Sequence, residues 1–168
     1  MGAQAMSPKS QELWVREELV IVPLQAVSAT DAITQLGAKL QAARCVKESW
    51  VQATIDREEV FATGLPTKEI GVAIPHTDVV HVLKQAIAVG VLEEPVEFME
   101  MGNPDSTVLV RIVCALAVPR SESMVKVLQR LVKMFQSPET LRAIAGAGSA
   151  AKIVEIFGQH LSIKLGGK

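Results

Sequence analysis

The sequence predicts a single α/β domain in which a small mixed β-sheet is sandwiched by helices. The chain has 168 residues, which is the usual size of one domain with one core. Its residues are 49% hydrophobic and 21% charged, which is apolar enough to bury a core. Runs of strand type are interspersed with segments of helical periodicity, a pattern typical of α/β folds. We expect residues 1–15 to form a disordered leader and residues 16–162 to form the domain.

The first part of the domain predicts one strand and two helices. Glu18–Pro23 is β-branched and is expected to be a strand closed by its proline. Thr30-Asp31 is expected to cap the first helix, and Ser49 the second. The second helix runs into the charged segment Asp56–Glu59, and the sequence Thr63–Pro66 is expected to end it.

The middle of the chain predicts strands buried on both faces. Val72–Pro75 is a short apolar strand that stops at its proline. Ala86–Leu92 and Thr107–Val118 are near-continuous apolar runs, which are typical of strands covered by helices on both sides. Between them, Glu93–Ser106 predicts a turn-rich excursion with a short strand near Val96–Met99.

The last third predicts three helices with clear start and stop signals. Ser121 is expected to cap the first, and Ser137-Pro138-Glu139 places a cap, a proline and an acid before the second. Gly146 ends that helix, Ser149 starts the last one and Gly158 is expected to end it. The core face of the first of these helices is expected to consist of residues at helical spacing, namely Met124, Leu128, Leu131 and Phe135.

Composition excludes several classes of function. Tyrosine is absent, aromatic residues make up 4%, and the formal charge is −1, so neither a basic nor an aromatic nucleic-acid surface is expected. No signal peptide or long uncharged apolar run occurs, so we expect a cytoplasmic protein without membrane insertion. Cys45 and Cys114 stand among apolar neighbours and are expected to be buried, inert thiols. Arg111 lies inside an apolar strand, where we expect an ion pair.

The segment after the strand Val72–Pro75 contains two of the three histidines and allows three interpretations. A metal site could use His76, Asp78 and His81, but five residues on a helix turn the two imidazoles roughly 140° apart, and no further ligand pattern accompanies them. We therefore expect no metal. Alternatively, a histidine at this position simply hydrogen-bonds to the main chain, which suits His81 and His160.

The third interpretation makes His76 a nucleophile. A neutral imidazole attacks phosphorus when one ring nitrogen is held as N–H and the lone pair of the other faces the phosphoryl group. Nearby cations and hydroxyl groups would stabilise the phosphoryl oxygens, and the candidates are Arg57, Thr63 and Thr77. No glycine-rich phosphate loop and no Mg²⁺-binding acidic pair is recognisable, which argues against a nucleotide-dependent kinase and predicts no cofactor.

A motif strengthens the third interpretation. Arg57-Glu58, Thr63-Gly64 and Gly71-Val72-Ala73-Ile74-Pro75-His76 resemble the RE…TG…G-[IV]-A-[IV]-P-H signature of the type 2 IIA (EIIA) components of the bacterial sugar phosphotransferase system (PTS), in the fructose, mannitol and galactitol group. The resemblance extends from Thr30 through Glu93–Phe98 to the helix at Ser149. The loop between Gly64 and Gly71 is longer than in the fructose and mannitol types, so the chain looks most like a galactitol-type IIA.

The resemblance implies a phosphotransferase and its partners. In that family, the histidine of the motif accepts a phosphoryl group from the carrier protein HPr and passes it to a IIB component. Carried over by motif, the acceptor is His76, with Arg57 and the Thr63-Gly64 turn close to it. Such a carrier needs an apolar rim for transient docking, and Ile74, Leu65 and Val79 are the expected contributors.

One departure leaves an alternative open. Several IIA relatives carry a second active-site histidine where this chain has Pro119-Arg120-Ser121, so a hydroxyl or Arg120 could replace it. Otherwise the protein could be a regulatory IIA-like module, whose phosphorylation at His76 controls a binding partner or a transcription regulator. A plain α/β scaffold without phosphotransfer fits the intact motif less well.

Overall fold

A five-stranded mixed sheet forms the centre of the protein, in a computed structural model that describes residues 14–161. The strands are β1 (Val20–Leu24), β2 (Gly64–Leu65), β3 (Gly71–Ala73), β4 (Ala86–Glu100) and β5 (Asn103–Ala117), and the helices are α1 (Ala29–Ala42), α2 (Trp50–Val60), α3 (Ser121–Phe135), α4 (Pro138–Ala145) and α5 (Ala150–His160). Two short 3₁₀ turns cover Glu17–Leu19 and Val79–His81.

The two long apolar runs pair with each other as an antiparallel hairpin. Strands β4 and β5 are in register from Ala86 opposite Ala117 to Glu100 opposite Asn103. The predicted excursion at residues 93–106 was therefore wrong in extent, because only Met101 and Gly102 form a turn and the other residues continue the two strands. The short strand expected near Val96–Met99 is part of β4. An irregularity between Val91 and Val96 accommodates Pro95, as prolines in sheets require. The turn itself contains Gly102, whose φ of +77° suits glycine.

The remaining strands extend this hairpin on both sides. Strand β1 runs parallel to β4, and β3 runs parallel to β5, while β2 pairs with β3 in the antiparallel sense. Strand β2 also meets the far end of β4 at a single pair, Gly64 opposite Glu100. The Leu116 N–H donates to the Pro75 carbonyl at 3.0 Å, so the alignment with β5 continues past the end of β3. The chain just before His76 is thereby held against the centre of the sheet.

Helices cover both faces of the sheet, which confirms the predicted sandwich. One core lies between the sheet and helices α3 to α5, and includes Ile87, Ile112 and Phe157. The other lies between the opposite face and helices α1 and α2, and includes Leu36 and Trp50. Most of the leader predicted at residues 1–15 lies outside the described residues. The last two residues of this predicted leader, Trp14 and Val15, are described and are buried in the first core.

Serine residues precede three helices as predicted, whereas the starts of two other helices differ. Ser137 and Ser149 accept hydrogen bonds from main-chain N–H groups three residues later. Helix α1, however, is capped by Ser28 rather than by Thr30-Asp31, and the Asp31 carboxylate reaches back to the Val27 N–H at 3.0 Å. The residue before α3 is Arg120, without a side-chain cap. Ser49 is the N-cap residue of α2 as predicted, but its hydroxyl lies 2.7 Å from His81 Nδ1 and makes no capping hydrogen bond.

Other predicted boundaries and faces shift by a few residues. Strand β1 passes through Pro23 and ends at Leu24, and helix α5 passes through Gly158 and ends at His160. On α3, Met124 and Leu128 are only half-buried. Its fully buried apolar positions are Val127, Leu131, Met134 and Phe135. The core face is therefore rotated from the expected one, so Leu128 is left at the surface groove described below.

The expectation for Arg111 was wrong, whereas the one for the two cysteines agrees with the structure. Within residues 14–161, Arg111 forms no ion pair; its Nε donates to the Leu92 carbonyl at 2.8 Å, so the expected ion pair was wrong. Cys45 and Cys114 are both free and fully buried. Burial raises the pKa of the Cys114 thiol far above its usual range, which makes it an inert thiol as expected.

A close approach at Gly71 predicts a large loss of stability on substitution. A Cβ at Gly71 would collide with the Leu109 carbonyl oxygen of β5, which cannot retreat without loosening the β3–β5 pairing. We expect Gly71→Ala to lower the free energy of unfolding by about 3 kcal/mol. Gly158→Ala is the matched control, because nothing lies within 4 Å of a Cβ there and alanine favours the helix. Urea denaturation of both variants checks this, and equal effects would contradict it.

Candidate functional site

His76 follows β3 and is fixed by its own main chain. Its ring nitrogen Nδ1 lies 2.7 Å from the carbonyl oxygen of Ile74, two residues earlier. A carbonyl oxygen can only accept, so Nδ1 must carry the hydrogen and donate. In the neutral ring, Nε2 then holds the lone pair. The local geometry therefore selects one tautomer and leaves Nε2 as the nucleophilic nitrogen.

The surroundings also keep the ring neutral. Burial lowers the pKa of His76 below its ordinary value, and the nearby Arg57 guanidinium lowers it further, while the bond to the Ile74 carbonyl opposes both effects. A neutral imidazole is the form that can act as a nucleophile. The site therefore favours the reactive form near neutral pH.

This direction gives a testable titration. We expect His76 to protonate with a midpoint below 6.5, so the neutral ring should persist at mildly acidic pH. In Arg57→Gln the midpoint should rise but stay below 6.5, because burial is the larger cause. Titration of the imidazole signals by NMR measures both midpoints. A midpoint above 6.5 in the unsubstituted protein would contradict the burial of the ring.

His76, Arg57 and Thr63 line one groove of about 490 Å³. One wall is the end of α2 and the residues after it, and the opposite wall is the tip of the β4–β5 hairpin from Met99 to Pro104. Leu128 of α3 completes the lining. The fourth predicted residue, Thr77, is 7% exposed and is not among the lining residues. The structure thus brings three of the four predicted residues together.

Arg57 supplies a positive charge to this groove. Within the described part of the chain, the guanidinium forms no ion pair, and its buried Nε has no hydrogen-bond partner. The guanidinium carbon lies 4.9 Å from the centre of the Phe61 ring, a cation–π contact that orients the side chain. An arginine with unused donors in a groove is suited to bind phosphoryl oxygens.

Thr63 is hydrogen-bonded to Glu58, a residue that was not singled out from the sequence. The Glu58 carboxylate accepts from the Thr63 N–H at 2.7 Å and lies 3.0 and 3.1 Å from the Thr63 hydroxyl oxygen. Burial raises the pKa of Glu58, against the lowering effect of these hydrogen bonds and of Arg57. Glu58 lies in the motif beside Arg57, which was the only available signal.

The apolar rim of the groove differs from the expected one. Ile74 is 1% exposed and cannot form a rim, Leu65 lines a neighbouring groove instead, and Val79 is not among the lining residues. The exposed apolar residues that line the groove come from α2, from the residue after it and from the hairpin, namely Val60, Phe61, Met99 and Met101. The rim therefore surrounds His76 with side chains from two separate segments.

The proposed substitutes for a second active-site histidine do not reach the groove. Neither Arg120 nor Ser121 is among its lining residues. Arg120 is exposed and its Nη1 lies 4.0 Å from the Glu122 carboxylate. The residue of α3 that lines the groove is Leu128, an apolar residue in the middle of the helix.

The other histidines have ordinary structural surroundings. His81 Nδ1 lies 2.7 Å from the Ser49 hydroxyl, and His160 is the last residue of α5. Among residues 14–161, no group of three or more potential metal-binding side chains is found. In the same range, no helix is long and apolar enough to cross a membrane.

Comparisons of the sequence with known proteins identify its family. The model of the family "Phosphoenolpyruvate-dependent sugar phosphotransferase system, EIIA 2" matches residues 14–160. The galactitol-specific EIIA component of the PTS of Escherichia coli K12 is 30% identical over 118 residues, which cover 70% of this chain and 78% of that protein.

Solved structures share the fold at lower identity. The complex of enzyme IIA^Mtl and phosphorylated enzyme IIB^Mtl from Escherichia coli has a TM-score of 0.71 at 23% identity, over 84% of this chain and 95% of that one. A PTS IIA protein (PtxA) from Streptococcus mutans has a TM-score of 0.70 at 19% identity, over 94% and 93%. The match of the family model to nearly the whole described chain, together with the galactitol-specific relative, shows that this chain belongs to the type 2 EIIA family of the phosphoenolpyruvate-dependent sugar phosphotransferase system, a family of phosphoryl carriers.

Proposed function

We propose that this protein is a galactitol-type IIA carrier that accepts a phosphoryl group from phospho-HPr on Nε2 of His76 and passes it to a IIB component. One observation carries the proposal: the hydrogen bond from Nδ1 to the Ile74 carbonyl leaves Nε2 free in a groove shared with an unpaired arginine. The 30% identity to the galactitol-specific components supports the galactitol type.

The transfer balances without an added acid or base. The Nε2 lone pair attacks phosphorus, the Nε2–P bond forms, and the N–P bond of the donor breaks with its electron pair returning to the donor nitrogen. Nδ1 keeps its hydrogen, so the positive charge that develops on the ring faces the Ile74 carbonyl. Arg57 stabilises charge on the phosphoryl oxygens. In onward transfer, a nucleophile of IIB attacks the same phosphorus, its bond to phosphorus forms, and the Nε2–P bond breaks with its electron pair returning to Nε2.

The rim is suited to a partner that docks briefly. Val60 and Phe61 are 72% and 60% exposed, and the two hairpin methionines are about 40% exposed. Apolar side chains around a reactive centre can contact a donor and then an acceptor through small interfaces, and methionine adapts to different partners. The structural neighbour solved as a IIA–IIB complex supports a IIB protein as one partner.

Reconstituted transfer tests the proposal. The protein is incubated with phosphoenolpyruvate, the general phosphotransferase proteins and HPr, and then with the IIB protein of a galactitol system. We expect an acid-labile phosphoryl group that disappears when IIB is added. Omitting HPr is the control and should leave the protein unlabelled. No labelling by phospho-HPr would contradict the carrier role, and a label retained in the presence of IIB would favour a regulatory protein.

A further inference from the structure

We propose that Glu58 is a positioning residue for phosphoryl transfer, which acts through the Thr63 hydroxyl on the main chain that orients His76. The inference rests on the proposed function, because it assigns a role to Glu58 in the same reaction. It is carried by a continuous chain of hydrogen bonds from the end of α2 to the imidazole ring.

Both main-chain polar groups of Ile74 are hydrogen-bonded in this chain of bonds. The Thr63 hydroxyl oxygen lies 3.2 Å from the Ile74 N–H, and the Ile74 carbonyl lies 2.7 Å from Nδ1 of His76. Thr63 is 3% exposed and Ile74 is 1% exposed, so water does not compete strongly for these bonds. The carbonyl that selects the His76 tautomer therefore belongs to a residue whose N–H is held by Thr63.

The Glu58 carboxylate determines which group donates and which accepts in this series of hydrogen bonds. An ionised carboxylate can only accept hydrogen bonds, so the Thr63 O–H must donate to Glu58. The lone pairs of the hydroxyl oxygen are then free to accept from the Ile74 N–H. Without the carboxylate, the hydroxyl hydrogen could turn towards other acceptors and the bond to Ile74 would be less well defined.

The same contacts change the expected role of Thr63. A threonine hydroxyl has one hydrogen, and here it is directed to Glu58, so it is not available to a phosphoryl oxygen. Thr63 thus acts on the orientation of the nucleophile rather than on the phosphate. Glu58 also directs both of its oxygens to Thr63, and the Arg57 guanidinium forms no ion pair within the described residues.

Two pairs of variants test the chain of bonds. Thr63→Val removes the hydroxyl at nearly constant shape, and Thr63→Ser restores it. We expect Thr63→Val to lower the rate of labelling at saturating phospho-HPr about tenfold, with little change in KM, because misplacement of a reacting atom slows the chemical step. Thr63→Ser should recover most of the rate. Glu58→Gln should lower it by a smaller factor, since the amide retains one acceptor oxygen.

Asp56→Asn is the matched control for Glu58→Gln. Asp56 lies on the same helix and accepts a hydrogen bond from Gln52, so the control makes the same chemical change at the surface. Its labelling rate should equal that of the unsubstituted protein. Thermal unfolding of each variant identifies any general loss of fold. If Thr63→Val fails to fold, the labelling rates of the milder variants Thr63→Ser and Glu58→Gln still test the inference.

NMR on the unphosphorylated protein separates this inference from the proposed function. In Thr63→Val, the Ile74 amide should exchange faster, and the ¹⁵N shifts of His76 should show a mixture of tautomers in place of Nδ1–H alone. Unchanged tautomer, exchange and labelling rate in Thr63→Val would overturn the inference while leaving the carrier function intact. Absence of labelling in every variant, with the tautomer altered as expected, would overturn the function instead.

Discussion

Replacing His76 by alanine is expected to abolish labelling by phospho-HPr. The groove that contains Arg57 contains one imidazole, that of His76, among its lining residues. No other residue that lines it has a nitrogen of comparable nucleophilicity, because the Arg57 guanidinium stays protonated. The loss should therefore be complete within detection, rather than a reduced rate. Labelled protein separated by gel electrophoresis under alkaline conditions, which preserve phosphohistidine, measures the effect.

His81→Ala is the matched control for this loss. It removes an imidazole five positions away, whose Nδ1 is bonded to the Ser49 hydroxyl and which does not line the groove. Labelling of the His81→Ala variant should match that of the unsubstituted protein. If label persisted in His76→Ala and vanished in His81→Ala, the assignment of the acceptor would be wrong.

Arg57→Gln is expected to cause the second largest loss, a fall of about 100-fold in the labelling rate. The guanidinium faces developing phosphoryl charge with donors that no other described residue uses, and the groove holds part of it away from water. Arg57→Lys should keep the charge but lose the forked donors, so an intermediate rate is expected. Rates of transfer from phospho-HPr, taken at several donor concentrations, measure both variants.

The control for Arg57 removes one positive charge elsewhere. Lys152 on α5 lies 3.5 Å from the Glu155 carboxylate at the surface, and Lys152→Gln should leave the rate unchanged. A similar fall in both variants would point to a general electrostatic effect of net charge. No fall in Arg57→Gln would show that the phosphoryl charge is stabilised elsewhere.

The sandwich could be predicted because its signals are local. Near-continuous apolar runs indicate strands covered on both faces, and the Ser137-Pro138-Glu139 start signal acts within one helical turn. The full length of the β4–β5 hairpin could not be predicted from the sequence. Taken alone, Glu93–Pro95 and Asn103–Pro104 indicate turns, and only the partner strand shows that they are paired. Pairing across β4 and β5 over 15 residues each outweighs the local preference of these residues.

The same distinction explains what was missed at the site. His76 could be proposed as the acceptor because its motif is contiguous with β3. The role of Glu58 depends on where its carboxylate lies relative to Thr63 and on the approach of Thr63 to Ile74, eleven positions later. The rim was wrong because a residue adjacent to His76 in sequence need not be adjacent on the surface: alternation along the extended chain turns the Ile74 side chain inward.

In the proposed function, the tip of the β4–β5 hairpin would contact a partner, and the His76 imidazole would carry out the chemistry. The tip forms a wall of the groove, and it is joined to β2 by the pair Gly64–Glu100 and by a 2.8 Å bond from the Met101 N–H to the Gly64 carbonyl. Nothing lies within 4 Å of a Cβ on Gly102. Residues added or exchanged at the tip can therefore reshape the surface offered to a partner while the imidazole keeps its bond to Ile74. Under the proposed function, changes at this turn would alter the surface that a partner meets and leave the reactive centre as it is.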